Sequence, residues 1–186
     1  MGALKYPPPF IKACHFTHGP RGAVDLVVLH SMESLELPGT ARHVAEWFAD
    51  PARSPQASAH YLIDENEVIQ SVREFDIAWA APGANRNGIH IEHAGRADQS
   101  EADWGDEFSI AMLHLSIELC TSICRAWSIP AVVVDAAGLL VHQRGITTHV
   151  EVSRAFKKSN HTDPGPAFPL IWYCERVAGL LAEGTA

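Results

Sequence analysis

Val24-Asp25-Leu26-Val27-Val28-Leu29-His30-Ser31 opens the first regular element of the chain. Leu26 to Leu29 are apolar without a break, and a run lacking polar alternation describes a strand covered on both faces. Such a strand belongs inside a sheet that has helices on either side. The run ends in polar residues, so it delivers an imidazole, His30, to the tip of a rigid element. A lone histidine at that place is more often a packed side chain than a working one, and its meaning depends on what the rest of the chain brings to it.

Downstream the pattern turns helical. From Thr40, which can cap, Val44, Trp47 and Phe48 recur along one face until Asp50-Pro51 ends the element. Ser58 to Asp64, Glu65-Asn66 and Glu67 to Val72 read as a hairpin. Residues 76–87, with Trp79 and Pro82-Gly83, form a loop whose tryptophan either borders a site or anchors packing. Gly88-Ile89-His90-Ile91-Glu92-His93-Ala94-Gly95 alternates, which predicts a strand with His90 and Glu92 on one face. Phe108 to Trp127 carries a stripe of Ile110, Leu113, Ile117, Cys120, Ile123 and Trp127, the longest helical period in the chain. Ala131 to Val134 reads as a short strand, residues 135–147 as a connection, and Pro169 to Leu181 as a last amphipathic helix. Upstream, residues 1–23 are rich in Pro, Gly and His and read as an irregular lead-in, with His15 and His18 in a solvated loop. Strands interleaved with helices indicate an α/β domain, residues 24–182, built on a single mixed central sheet flanked by helices.

Composition narrows the function. The chain has 186 residues, 47% of them hydrophobic and 19% charged, which suits one domain with a substantial core. A formal charge of −8 argues against nucleic acid as partner and leaves no polybasic membrane anchor. The first residues lack the charged lead and apolar core of a signal peptide, and no apolar run is evident at the length that spans a bilayer. Synthesis in the cytoplasm, as a monomer, is the expectation. Cys14, Cys120, Cys124 and Cys174 form no disulfide framework and read as reduced thiols, with a Cys120–Cys124 pair as the minority alternative.

The chemistry gathers in Thr148 to Gly165. His149 is followed fourteen positions later by Asp163, whose direction is held by Pro164-Gly165. Together with His30 they offer two nitrogens and an oxygen, the donor set of an open zinc site that keeps a position for water. Glu92, presented from a strand, is the candidate to take a proton from water and pass it to a leaving nitrogen. His161 can donate to a developing oxyanion. Eleven histidines make chance sets of this kind common, so spacing alone only suggests the site.

Several segments taken in order make the case specific: Val28-Leu29-His30-Ser31, Ser58-Ala59-His60-Tyr61-Leu62-Ile63-Asp64, Ala78-Trp79, Ile91-Glu92-His93-Ala94-Gly95, Thr148-His149, and His161-Thr162-Asp163-Pro164-Gly165-Pro166-Ala167-Phe168. From about Val24 to Trp172 the chain resembles the zinc-dependent N-acetylmuramoyl-L-alanine amidases, whose fold is shared with peptidoglycan recognition proteins. The resemblance implies His30, His149 and Asp163 as zinc ligands, Glu92 as the catalytic carboxylate and an open groove for peptidoglycan or muropeptide. Three positions depart from it. His161 stands where many relatives have lysine, Ala59 where some phage members have tyrosine, and Ala80 where a histidine often follows the tryptophan. His60, Trp79 and His90 are expected to touch substrate or to support the ligands. The expected reaction is hydrolysis of the amide between the lactyl group of N-acetylmuramic acid and the first L-alanine, as in a phage or prophage lysis enzyme released to the wall. A cytosolic amidase recycling anhydro-muropeptides, a non-catalytic peptidoglycan-binding module and an unrelated zinc deacetylase are the alternatives.

Overall fold

A computed structural model describes residues 7–19 and 21–183. Its centre is a five-stranded sheet in the order β4-β3-β6-β2-β7, made of β2 (Leu26–Ser31), β3 (Tyr61–Ile63), β4 (Val68–Gln70), β6 (Gly88–His93) and β7 (Gly145–Thr148). β2 is buried at every residue, as its unbroken apolar run requires. It pairs in parallel with β6 on one side and β7 on the other, β3 is parallel to β6, and only β4 runs antiparallel. A second, two-stranded sheet joins β1 (Phe16–Thr17) to β5 (Ile77–Ala78).

The alternation along these strands sorts side chains into two layers. Val27, Leu29, Ile89, Ile91 and Ile146 face a core shared with α2 (Glu107–Trp127) and α5 (Leu170–Glu183). On the opposite face, α1 (Thr40–Ala49) covers Leu62 and Ile69, while α3 (Ala136–Leu140) and α4 (His149–Phe156) cover Leu26 and Val28. The helices of this second face leave a gap over the carboxyl ends of the parallel strands, where open α/β sheets bind ligands.

Tertiary pairing changes several local expectations. α1 starts without a side-chain cap of its own: Thr40 Oγ1 donates to the Leu35 carbonyl, and the Ala41 N–H donates 3.1 Å to Asp64 Oδ2 from the far end of β3. A buried carboxylate at a helix start satisfies an orphan donor and meets the positive end of the helix dipole. Residues 131–134 form one isolated bridge, Val133 to Ile146, in place of a strand, and the connection after them holds α3 and β7. The Trp79 loop contains β5, and its partner β1 lies in the lead-in. Residues 9–13 of that lead-in bond along β4 and beyond it, through Gln70 N to Pro9 O, Ile11 N to Gln70 O and Ala13 N to Ser71 O. Residues 1–6, at the start of the lead-in, lie outside the described residues.

α2 is capped by Asp106, which accepts 2.8 Å from Ser109 N, and its buried face is wider than one stripe because α5 packs on it as well. By length and composition its 21 residues could cross a membrane, which the sequence reading did not anticipate. Here it is a core helix, with Leu113, Ile117, Cys120 and Ile123 buried. All four cysteines are free; Cys120 and Cys124 face each other with Sγ atoms 4.0 Å apart inside the core.

Candidate metal centre

Strand register builds the site. His30 lies opposite Glu92 across the parallel β2–β6 pair, and Leu29 lies opposite Thr148 across β2–β7, so His149, one residue on, emerges beside His30. His149 is the first residue of α4 and is buried. Asp163 arrives from the turn beyond α4. Its carbonyl accepts 3.0 Å from Val150 N, which ties the turn to the start of that helix, and Gly165 N donates 3.0 Å to Thr162 O. Gly165 has φ +93 and packs so tightly on Ala97 that a Cβ would overlap the Ala97 carbonyl oxygen. Glycine is therefore required there both by conformation and by space.

Three side chains separated by up to 133 positions converge. His30 Nδ1 lies 3.2 Å from His149 Nδ1 and 3.1 Å from Asp163 Oδ2, and His149 Nδ1 lies 3.1 Å from Asp163 Oδ1. Donors held about 2.0–2.1 Å from one tetrahedral ion stand about 3.3 Å apart, so these three side chains are spaced so that they could hold one metal ion. Two imidazole nitrogens facing each other at this distance, both aimed at one carboxylate, make a poor closed hydrogen-bond set, which a shared cation would resolve. Burial works to raise the Asp163 carboxyl, but hydrogen bonds from His149 and His30 outweigh it and hold it well below the usual carboxylate range. Burial lowers His30, against the pull of Asp163, so its imidazole is neutral, the form that binds a metal.

Glu92 completes the group. Its side chain is 13% exposed, and Oε1 lies 3.9 Å from His30 Nδ1. Burial first, then the charges of Asp163 and Glu33, push its carboxyl well above the ordinary value, while Oε2 is buried without a hydrogen-bond partner. A carboxyl with a high affinity for protons and an unengaged oxygen beside three metal-type donors is equipped to carry a proton.

The residues lie on a groove of about 560 Å³ whose other walls include Val44 and Trp47 of α1, Trp79, and His161. His161 stacks on His149, with ring centroids 4.2 Å apart, and places Nδ1 3.3 Å from Asp163 Oδ1, yet its side chain is 58% exposed. Trp79 is held to the groove by its indole N–H, which donates 3.0 Å to Thr17 Oγ1, and by its backbone N–H, which donates to Ser58 Oγ. His60 and His90 are fully buried behind His30 and do not reach the groove.

Sequence reasoning passed over three contributors. Glu33, in the left-handed region at φ 52, accepts from Ser31 Oγ and Ala97 N and lines the groove. Asn85 accepts from Ala80 N and Ala81 N and shapes the tryptophan loop. Arg21 is buried, forms no ion pair with a carboxylate among the described residues and donates to the carbonyls of Glu74, Asp76, Arg86 and Gly88, and burial lowers its pKa to about 10. An arginine in a Pro- and Gly-rich lead-in carries no local sign of burial. His15, assigned to a solvated loop, stacks at 6.0 Å on Trp79.

Comparison with known proteins meets this geometry from the other side. Residues 20–166 match the family described as N-acetylmuramoyl-L-alanine amidase. The chain belongs to that family. The N-acetylmuramoyl-L-alanine amidase A of Achromobacter lyticus is 35% identical over 163 residues, covering 82% of each chain. Among solved structures, the Staphylococcus aureus hydrolase AmiA matches with a TM-score of 0.66 at 15% identity, over 98% of this chain and 88% of that one. The LysC amidase of Clostridium intestinale matches with a TM-score of 0.56 at 13% identity, over 91% and 97%. At these identities the structural matches establish the fold, and the family match establishes the activity class: this amidase is a hydrolase of N-acetylmuramoyl-L-alanine amides.

Proposed function

We propose that this amidase is zinc-dependent, with His30, His149 and Asp163 as ligands, and that it cuts the bond between the lactyl carbonyl of N-acetylmuramic acid and the stem peptide's L-alanine in peptidoglycan. The convergence of two buried Nδ1 atoms and a carboxylate at 3.1–3.2 Å beside Glu92 carries the reading. Zinc, when bound, supplies the charge that acidifies a water and polarises a carbonyl.

The chain's own residues do the rest. Glu92 takes the proton that the attacking water gives up, and its raised proton affinity lets it keep that proton until the amine departs. The water oxygen joins the lactyl carbon, the carbon–nitrogen bond breaks, and Glu92 returns the proton to the L-alanine nitrogen. His161, at the solvent edge of the groove, donates from its imidazole to the carbonyl oxygen as charge builds there. Val44, Trp47 and Trp79 form the apolar wall against which sugar and peptide lie. Wall lysis is the role that fits a groove open along one face of the domain.

Product analysis tests the reading. Purified wall and soluble muropeptides, incubated with enzyme stripped by chelator and then resupplied with zinc, should release L-alanine-terminated peptides from both only after resupply. Cleavage of soluble muropeptides with intact wall left untouched would replace lysis by recycling. Release of acetate, or full activity without metal, would overturn the proposal.

A further inference from the structure

Behind His30 lies a column of rings that the groove never touches. His30 Nε2 stands 3.0 Å from Nδ1 of His90, which is 0% exposed. The His90 ring stacks on His60, with centroids 5.6 Å apart and planes 13° from parallel. His60 Nδ1 in turn accepts the backbone N–H of His90 at 3.0 Å, so the two residues lock each other. Gly88 leaves the room: a Cβ there would stand 3.3 Å from His90 Nε2 and 2.9 Å from Val28 Cγ2.

An imidazole that turns Nδ1 to a cation must present a lone pair there, so its proton sits on Nε2 and, when buried, needs an acceptor. Metal-binding histidines commonly find it in a carboxylate, a backbone carbonyl or water. Here the group placed to receive it is another imidazole. We propose that His90 is the positioning residue for the metal: its Nδ1 accepts the His30 Nε2–H and so holds His30 in the tautomer and ring rotation that aim Nδ1 at His149 and Asp163. A neutral His90 that accepts at Nδ1 carries its own proton on Nε2, the atom left without a partner. The two rings therefore share one tautomeric state, chosen at His30 and propagated to His90. This inference rests on the zinc reading above.

Imidazole nitrogen NMR of the zinc-loaded wild type reads the tautomer directly: His30 and His90 should both be protonated at Nε2, and a His90 protonated at Nδ1 would overturn the proposal. Chelator competition gives the second readout. His90→Leu should weaken zinc binding about ten- to a hundredfold and shift the visible spectrum of the cobalt-substituted protein. His90→Asn, which can put an amide oxygen where Nδ1 stood, should recover affinity to within a few-fold of wild type. Equal loss in both variants would reduce His90 to a space-filler, and wild-type affinity in the leucine variant would remove it from the site altogether. A wild type that takes up no zinc would instead overturn the zinc reading and this inference with it.

Discussion

Acidification of the metal-free amidase should expose the cost of charging His93. This ring is fully buried. Its Nδ1 is 2.9 Å from the His30 carbonyl and its Nε2 2.7 Å from Ser116 Oγ, which itself meets Tyr173 Oη at 2.7 Å. With one N–H donated to the carbonyl and one lone pair accepting from the serine, neutral His93 is fully satisfied. A second proton would turn N–H against the serine's own proton, inside a shell that includes Phe168 and Tyr173. Burial is the main reason that its pKa is lowered to about 4. A base whose folded value lies below its unfolded one, 6.5, leaves the unfolded chain holding more protons between the two, so stability falls with falling pH across that window. Linkage between these values gives a loss of about 2 kcal/mol between pH 8 and pH 5. His60, lowered to about 3 by burial and by Arg21, acts in the same direction, whereas Glu92, raised by burial, gains stability on protonation and opposes both. The measurement must therefore be a difference. Urea unfolding of wild type and His93→Gln, in chelator at pH 8, 7, 6 and 5, should show the wild-type advantage shrinking by about 2 kcal/mol toward pH 5. A constant gap across that range would refute the reasoning.

Three further outcomes follow from the geometry. Glu92→Gln should lower turnover about a hundred- to ten-thousandfold with zinc stoichiometry unchanged by metal analysis, and an unaltered rate would remove Glu92 from the mechanism. Gly165→Ala, forced into a positive φ and against the Ala97 carbonyl, should cost about 1–3 kcal/mol in thermal unfolding and weaken metal retention through Asp163; an unchanged melting point would show that the turn can move. Asp64→Ala deletes the acceptor of the Ala41, Asn66 and Glu67 N–H groups and should cost about 2 kcal/mol, with hydrogen exchange fastest in the first turn of α1; uniform protection across α1 would count against Asp64 as its cap.

Much of this protein was readable from residue order because the relevant signals are local. The unbroken apolar run of β2, the alternation of β6 and the period of α2 each report which faces are buried, and burial follows from side-chain spacing alone. Asp163-Pro164-Gly165 likewise announces a constrained turn through backbone chemistry that no partner need supply. The elements that were misread are those whose formation depends on distant pairing: β1 and β5, two residues each, exist only because they meet, and residues 131–134 fall short of a strand because their pairing stops at a single bridge to Ile146.

Tertiary structure alone decided how the candidate site residues meet. Nothing in the order of residues states that β2 lies between β6 and β7, and it is that order of strands that brings Glu92, His30 and His149 side by side. The burial that neutralises His90 and raises Glu92 is likewise a property of what packs over them, since α/β layering removes water from groups that look identical, as letters, to the exposed His18 or Glu101. Donor chemistry is carried by each residue singly; distance and solvent access arise only between residues, and those two quantities separate a set of histidines from a metal centre.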